Sequence, residues 1–203
     1  MSFTTLRVSA RGVIFFEDHA TRLGRPYRRA FERFASHAQQ GVYALHGHGS
    51  AELEVEQRTG SRLELPGLEV KRAVSPVLEH RAPFAKPPSP SEYDAVRSPA
   101  AVTLLTDAAG SEIYEACIAA VIAWDGDSLV LVPSDRPRVL SVAEAFVARN
   151  FSHRRAPIRV DGDWGLLLVN AAGSLSPDSL GRQAFDPLTL EHMRVSIERS
   201  AVR

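Results

Sequence analysis

The sequence is most informative in the residue types that it has little of, and the scarcest basic residue is lysine. Of the 24 basic residues in 203, only Lys71 and Lys86 are lysines, and all the others are arginines. Because Schiff-base chemistry requires a primary amine, any reaction of that kind has two candidate side chains. Cysteine is also scarce. The single Cys117 excludes a disulfide framework within the chain and fits a reducing compartment, so we expect a cytoplasmic protein.

An excess of charge and long apolar runs are absent as well. The 24 acidic residues balance the 24 basic ones, whereas nucleic-acid-binding proteins show a basic excess. No run approaches the eighteen apolar residues of a membrane helix, and residues 1–7 lack the apolar core of a signal peptide. The segment His46-Gly47-His48-Gly49 has no acidic or cysteine ligand beside it, which indicates a polar turn and no metal site. We therefore expect a globular protein without nucleic-acid or membrane partners.

Hydrophobic periodicity predicts a mixture of strands and helices. Strands are predicted at 4–8, 12–16, 42–45, 51–55, 63–65, 68–74, 102–106, 116–124, 129–132 and 166–170. Helices are predicted at 19–40, 91–97, 139–151 and 188–201. Six prolines between Pro76 and Pro99 indicate a joint between two halves. This organisation favours an α+β or α/β architecture.

Lys86 and Glu115 form the most suggestive pair of side chains. Lys86 lies within the proline-rich joint, and Glu115 follows 29 residues later at the head of an apolar run. A lysine and a carboxylate are what pyridoxal phosphate requires, because the amine binds its aldehyde and the acid keeps its pyridine nitrogen protonated. An isolated pair of this kind is more often a loop lysine and a strand-edge glutamate, so the residues alone leave both interpretations open.

Three regions together resemble a known family. They are the strand at 3–8 with His19-Ala20-Thr21-Arg22-Leu23, the stretch from Lys71 through Lys86, and the segment from Glu115 through the Asp125-Gly126 turn to the helix start at Val139-Leu140-Ser141-Val142. Their order and spacing resemble the fold-type IV pyridoxal phosphate enzymes. That class includes branched-chain and D-amino-acid aminotransferases and 4-amino-4-deoxychorismate lyase.

The resemblance implies an N-terminally shortened, two-lobed α/β (α+β) architecture of the D-amino-acid aminotransferase type. It places a small α/β lobe at 1–82, a proline-rich joint carrying the lysine at 83–89, and a larger α/β lobe at 90–203. The cofactor, pyridoxal 5'-phosphate, would lie in a cleft between the lobes. A homodimer is expected by the same resemblance.

The resemblance also implies roles for the two residues of the pair and for the phosphate site. Lys86 would bind the cofactor as a Schiff base and act as the base in proton transfer. Glu115 would pair with the pyridine nitrogen, and Arg22 would bind the cofactor phosphate. Backbone N–H groups at the helix start, formed by Ser141, Val142 and Ala143, would bind the same phosphate.

Thr5 bears on the type of reaction. The Phe-Thr-Thr pattern looks like the lyase, in which a threonine hydroxyl assists proton transfer, whereas transaminases of the family more often carry an acid at the Thr4 position. We therefore predict a lyase acting on a small-molecule amino substrate, resembling the enzyme that converts aminodeoxychorismate to p-aminobenzoate and pyruvate in folate biosynthesis. The alternatives are a class IV aminotransferase for branched-chain or D-amino acids, and a relative that has lost the cofactor and acts by binding.

Overall fold

The computed structural model describes residues 2–49, 51–59, 69–79, 90–98, 101–176 and 180–202. Its strands are β1 (Ser2–Ser9), β2 (Gly12–Val13), β3 (Gly41–Gly47), β4 (Leu53–Arg58), β5 (Glu69–Val74), β6 (Ala101–Thr106), β7 (Glu112–Ala116), β8 (Ala120–Trp124), β9 (Leu129–Leu131), β10 (His153–Arg155), β11 (Ile158–Arg159) and β12 (Gly165–Val169). Its α-helices are α1 (Phe16–Leu23), α2 (Arg28–His37), α3 (Pro90–Val96), α4 (Val142–Asn150) and α5 (Pro187–Arg199). The mixed strands and helices confirm the predicted α+β class.

The chain divides into two units that do not follow the sequence order. The first unit comprises Met1–Arg62, Ala171–Ser174 and Leu188–Arg203, and the second comprises Leu63–Asn170 and Leu175–Pro187. The first unit therefore takes in the last helix of the chain. The predicted lobes at 1–82 and 90–203 stay a prediction, and the joint at 83–89 lies outside the described residues.

The first unit is built on an antiparallel sheet with the strand order β2-β1-β3-β4. In β1 the residues Thr4, Leu6 and Val8 are buried and the residues between them are half-buried, as the alternation of a strand requires. Helices α1 and α2 cover the buried face, where the rings of Phe16 and Phe31 stack with centroids 4.8 Å apart. Burial of these aromatic rings supplies much of the stability of this unit.

One predicted helix is two helices in the structure. The periodicity at 19–40 spans α1, a short 3-10 turn at Arg25–Tyr27, and α2. Gly24 ends α1 with a φ of 91°, a conformation that glycine adopts at low cost, and Pro26 follows at the start of the turn. The apolar spacing continues through the break because both helices pack on the same sheet.

The second unit contains two four-stranded sheets among its described residues, with the orders β10-β9-β8-β12 and β11-β7-β6-β5. Buried side chains from both sheets form one apolar cluster, which includes Leu104 and Ile113 from one sheet and Val121 and Leu168 from the other. Strand β12 is buried along its whole length. The predicted hairpin turn after β8 is confirmed, because the carboxylate of Asp125 accepts hydrogen bonds from the backbone N–H groups of Asp127 and Ser128.

The predicted strand at 116–124 is wrong in extent. The chain turns back at Cys117 and Ile118, so that β7 ends at Ala116 and β8 begins at Ala120. A backbone hydrogen bond from Ala116 N to Ala119 O closes this turn. Apolar periodicity conceals it because the residues before, within and after the turn are all small or apolar. Among the described residues, no helix is long and apolar enough to cross a membrane.

Candidate active site

Glu115 is a buried carboxylate near the end of β7, with only 6% of its surface exposed. Its Oε1 accepts a hydrogen bond of 2.6 Å from the hydroxyl of Tyr93. The backbone N–H of Val139 lies 3.3 Å from both carboxylate oxygens. Burial raises the pKa of Glu115 to about 7, against the opposing effects of Tyr93, Val139 and the charge of Arg138. The group can therefore change its charge near neutral pH.

An irregularity in the pairing of β7 directs Glu115 away from the main core. The register with β6 shifts between Leu105 and Thr106, so that Glu115 lies opposite Leu105 while Ile113 lies opposite Thr106. Ile113 belongs to the large apolar cluster between the sheets, whereas Leu105 belongs to a small cluster with Tyr93. Residues two apart on a regular strand share a face, and the shift removes that constraint.

Tyr93 reaches Glu115 from helix α3. Its ring is 7% exposed and packs in the small cluster with Val77 and Leu105, against which Cys117 and Val139 also pack. Burial and the neighbouring carboxylate raise the pKa of the Tyr93 hydroxyl far above its usual range. Tyr93 is therefore the donor in this hydrogen bond. No sequence pattern predicts this contact, because 22 residues separate the partners.

The sequence predicts a helix at 139–151, and in the structure α4 begins three residues later, at Val142. Ser141 is its N-cap, and the Ser141 hydroxyl accepts a hydrogen bond of 3.3 Å from the backbone N–H of Glu144. Val142 and Ala143, the first two residues of the helix, are buried. The N–H groups of a first helical turn have no partner within the helix, so this end of α4 has the polarity that favours an anion.

A buried group of charges surrounds the start of α4. Glu144 accepts hydrogen bonds of 2.8 Å from both Arg138 and Arg155, and Arg155 also donates to the carbonyl of Val132. The Nε of Arg138 is buried and has no hydrogen-bond partner in the part of the chain that the structure describes. Because Arg138 directly precedes Val139, these ion pairs also fix the backbone N–H that contacts Glu115. Sequence reasoning missed this group, since its members look like ordinary surface charges.

In the first unit, His19 connects three segments. It is fully buried, with Nδ1 2.7 Å from the hydroxyl of Thr4 and Nε2 3.1 Å from the carbonyl oxygen of Ala171. A carbonyl oxygen can only accept, so Nε2 carries the proton and Nδ1 accepts from Thr4. Burial, and then the positive charge of Arg22, lower the pKa of His19 to about 3. His19 is therefore a neutral residue that ties the Ala171–Ser174 segment to α1 and β1.

Arg22 is half-buried in the last turn of α1. Burial lowers the pKa of its guanidinium, and the charge of Asp18 one turn earlier opposes that effect. Within the described part of the chain no carboxylate lies at ion-pair distance from it. Arg7 differs, since it donates to the carbonyl of Ala172 and pairs with Glu198 at 2.5 Å. Arg22 is thus a partly desolvated cation that can accept an anionic ligand.

The two threonines of β1 have different surroundings. Thr4 is fully buried and its hydroxyl is engaged with His19. Thr5 is half-buried on the opposite face of the strand, where it lies across from Ala44 of β3. In the described part of the structure the Thr5 hydroxyl makes no hydrogen bond, so of the two it is the one that can act on a ligand.

Of the two lysines, the structure describes one. Lys71 lies on β5, half of its side chain is exposed, and its Nζ is 3.7 Å from a carboxylate oxygen of Glu69. Lys71 is thus a half-exposed surface lysine beside a carboxylate of the same strand. Lys86 lies outside the described residues, so its predicted role stays a prediction.

The sequence predicts a polar turn at His46–Gly49, but His46 and Gly47 belong to β3, and only His48 and Gly49 follow the strand. His48 lies 3.0 Å from Glu54 and His46 lies 3.9 Å from Glu56, both on the neighbouring strand. Within the described ranges, no group of three or more histidine, cysteine, aspartate or glutamate side chains is arranged to hold a metal ion.

No protein-family model matches the chain, and a search of curated proteins finds no match either. Solved structures do resemble it. A putative 4-amino-4-deoxychorismate lyase from Legionella pneumophila is 13% identical with a TM-score of 0.68, over 98% of this chain and 90% of that one. The pyridoxal phosphate-bound form of a hypothetical aminotransferase from Mycobacterium tuberculosis is 18% identical with a TM-score of 0.66, over 99% and 88% of the two chains.

A fold IV transaminase from Curtobacterium pusillum is likewise similar, at 16% identity and a TM-score of 0.68, over 98% of this chain and 84% of that chain. Near-complete coverage of both chains by lyase and transaminase structures shows that this chain has the fold of the fold-type IV pyridoxal phosphate enzymes. The predicted fold is confirmed.

Proposed function

We propose that this chain is a pyridoxal phosphate-dependent lyase that acts on a small amino substrate, as 4-amino-4-deoxychorismate lyase does. The observation that carries the proposal is Glu115, a buried carboxylate on this fold whose Oε2 makes a single, long contact within the described ranges. The structurally similar proteins include forms bound to pyridoxal phosphate, which supports the choice of cofactor. When bound, the cofactor supplies an electron sink that stabilises negative charge on the amine-bearing carbon of the substrate.

The residues of the second unit fit the pyridine ring of this cofactor. A buried carboxylate is costly unless a cation or several donors compensate it. Tyr93 and Val139 compensate Glu115 in part, and Oε2 retains capacity for one more donor. A protonated ring nitrogen would provide both that donor and a positive charge. Glu115 would in turn keep the ring nitrogen protonated.

The residues of the first unit fit the phosphate. Arg22 offers five donors in a planar fork and has no carboxylate partner at ion-pair distance in the described part of the chain. By the family resemblance, the N–H groups at the start of α4, at Ser141, Val142 and Ala143, would bind the phosphate with the favourable end of a helix dipole. The Ser141 hydroxyl already caps the helix, so its backbone would serve in this role.

Lys86 and Thr5 would carry out the proton transfers of the reaction. Lys86 would bind the cofactor and remove the proton from the amine-bearing carbon of the substrate. Thr5, with its uncommitted hydroxyl, would assist proton transfer as the pyruvate group leaves. Thr4 is buried against His19, and that contact favours Thr5 for this role. By the same family resemblance, the active form would be a homodimer, which light scattering of the purified protein can test.

An aminotransferase is the second candidate, because transaminases are among the similar structures. One experiment separates the two. The protein is loaded with pyridoxal phosphate and given aminodeoxychorismate alone, and pyruvate and p-aminobenzoate are measured by chromatography. A lyase forms both without a 2-oxo acid partner. We expect no pyridoxamine phosphate after acid quenching when L- or D-alanine, glutamate or a branched-chain amino acid is added alone. Its formation would establish the aminotransferase instead.

A further inference from the structure

Tyr93 has no place in the roles proposed so far, although it makes the shortest contact to Glu115. The 2.6 Å between the Tyr93 hydroxyl and Oε1 is typical of a hydrogen bond between an O–H donor and an ionised carboxylate. The Tyr93 ring is enclosed by Val77 and Leu105, so its hydroxyl has little freedom to move. The contact therefore fixes both the orientation and the preferred charge of Glu115.

The second contact to Glu115 is weaker. The Val139 N–H is shared between the two oxygens at 3.3 Å each, a long distance for a hydrogen bond. Among the described residues, Oε1 therefore has two donors and Oε2 has only a share of one. The asymmetry leaves Oε2 as the oxygen that a ligand can engage.

We propose that Tyr93 is a positioning residue, which holds Glu115 as a carboxylate and presents its Oε2 to the ring nitrogen of the cofactor. This inference rests on the proposed function for the identity of the ligand. The positioning of Glu115 by Tyr93 does not depend on that function, and it can be measured in the cofactor-free protein.

The charged groups around Glu115 identify Tyr93 as the main support of its ionised form. Burial raises the pKa of Glu115, and the Tyr93 hydrogen bond is the largest of the effects that lower it. Arg138, before α4, lowers it by a smaller amount, and Glu144 in α4 raises it. Cys117, in the turn after β7, stays a neutral thiol because burial raises its own pKa to about 11.

The test compares Tyr93→Phe with Tyr114→Phe, a matched removal of a hydroxyl from the residue next to Glu115. Tyr114 is half-buried and its ring lies under the Arg136 guanidinium, so it makes no contact with the Glu115 carboxylate. Carbon-13 NMR of glutamate-labelled, cofactor-free protein follows the Glu115 carboxyl through a pH titration. The signal is assigned by its loss in Glu115→Gln.

We expect Tyr93→Phe to raise the pKa of Glu115 by about one to two units, the effect of losing one hydrogen bond to a charged group. Tyr114→Phe should leave the pKa at its wild-type value. An unchanged pKa in Tyr93→Phe would overturn the proposal. Far-ultraviolet circular dichroism identifies a misfolded variant, and in that case Tyr93→His, which retains a donor on a smaller ring, replaces it with the expectation of a smaller rise.

A binding experiment then tests the link to the ring nitrogen. At pH 7, Tyr93→Phe should weaken binding of pyridoxal phosphate about tenfold, because about that factor separates the ionised fractions of the two carboxyl groups. It should leave binding of the 1-deaza analogue, which lacks the ring nitrogen, unchanged. Equal weakening for both ligands would show that Tyr93 acts on the shape of the site and would refute this link. If the wild-type protein binds neither ligand, the proposed function is wrong, and the titration alone decides the role of Tyr93.

Discussion

His19 in the first unit and Glu115 in the second are both buried titratable side chains, and their hydrogen-bonding capacity is satisfied to different degrees. His19 in the first unit uses both ring nitrogens, one with Thr4 and one with Ala171. Glu115 in the second unit has one oxygen held firmly and one held by a shared, long contact. Burial favours the neutral form of both groups, lowering the pKa of His19 and raising that of Glu115.

The comparison teaches that a shifted pKa does not by itself identify a functional group. Perturbed titration occurs at active sites and in structural networks alike. What separates the two cases here is spare hydrogen-bonding capacity. His19 has none left, so a ligand could reach it only by breaking the fold. Glu115 has an acceptor to offer, so a ligand could complete its environment.

The strongest test of this view concerns the lysine that would complete the site. Lys86→Ala should abolish the visible absorption band that forms when pyridoxal phosphate is added, because no amine remains to bind the aldehyde. Lys71→Ala should leave the band intact, since Lys71 is a solvated residue paired with Glu69. Absorption spectra of the three proteins give the answer. Borohydride reduction and peptide mapping that found only Lys71 labelled would reverse the assignment.

Replacing each of the two buried groups by glutamine should affect the stability of the protein to different degrees. His19→Gln should destabilise the protein by about 2 to 3 kcal/mol, since an amide cannot reproduce both ring hydrogen bonds and leaves a buried partner unsatisfied. Glu115→Gln should change stability by less than about 1 kcal/mol, because the amide oxygen still accepts from Tyr93. Urea unfolding measures both.

For activity, Glu115→Gln should have the larger effect of the two substitutions, because a neutral amide cannot hold a pyridinium charge. With pyridoxal phosphate in excess over its weakened affinity, Glu115→Gln should still bind the cofactor and lose most of its turnover. A destabilising Glu115→Gln with full activity would mean that the carboxylate serves the fold.

The two groups should also give the units opposite responses to acid. For His19 the folded pKa of about 3 lies below the unfolded 6.5, so stability present above pH 6.5 is lost as the pH falls toward 3. For Glu115 the folded pKa of about 7 lies above the unfolded 4.5, so stability present below pH 4.5 is lost as the pH rises through 7. Each effect amounts to about 2 kcal/mol between pH 7 and pH 5.

Native-state hydrogen exchange resolves these effects by unit. On going from pH 7 to pH 5, the contribution of His19 should lower the opening free energy of amides in α1, and that of Glu115 should raise it for amides in β7. The differences should disappear in His19→Gln and Glu115→Gln respectively. The same sign of change in both units, unaffected by either substitution, would contradict the assignment.

The smallest expected effect compares one glycine from each unit. Gly173 and Gly110 have nearly the same φ, 72° and 68°, but a Cβ on Gly173 would lie 2.9 Å from Ile14 and Ile197, whereas one on Gly110 would meet nothing within 4 Å. Gly110→Ala should cost about 1 kcal/mol from backbone strain alone. Gly173→Ala should cost about 1 kcal/mol more from the clash. Equal losses in thermal unfolding would show that the Ala171–Ser174 segment adjusts freely.

The sequence predicted the elements that depend on local pattern. Strand β1, the Asp125–Ser128 turn and the presence of helix α4 follow from alternation, turn chemistry and apolar periodicity. The fold class followed from the order of weak motifs along the chain. Pattern failed at the break after Gly24 and at the turn after β7, because apolar spacing runs through both.

Site residues were predictable only in part, for a similar reason. Glu115 could be named because it opens an apolar run, and Arg22 because it stands in a short motif. Tyr93 could not be named, since its contact depends on the packing of α3 against β7 and on the register shift at Leu105. Long-range contacts of this kind have no signature in a single sequence.

The pairing of the two ends of the chain bears on how the protein is synthesised. Val13 and Val202 exchange backbone hydrogen bonds, and the backbone N–H of Phe15 donates to the hydroxyl of Ser200. A ribosome delivers residues in order, so the N-terminal sheet must wait until α5 emerges before these bonds can form. The second unit, nearly continuous in sequence, can fold in the meantime. The first unit, whose sheet is synthesised early, therefore completes its folding after the second unit.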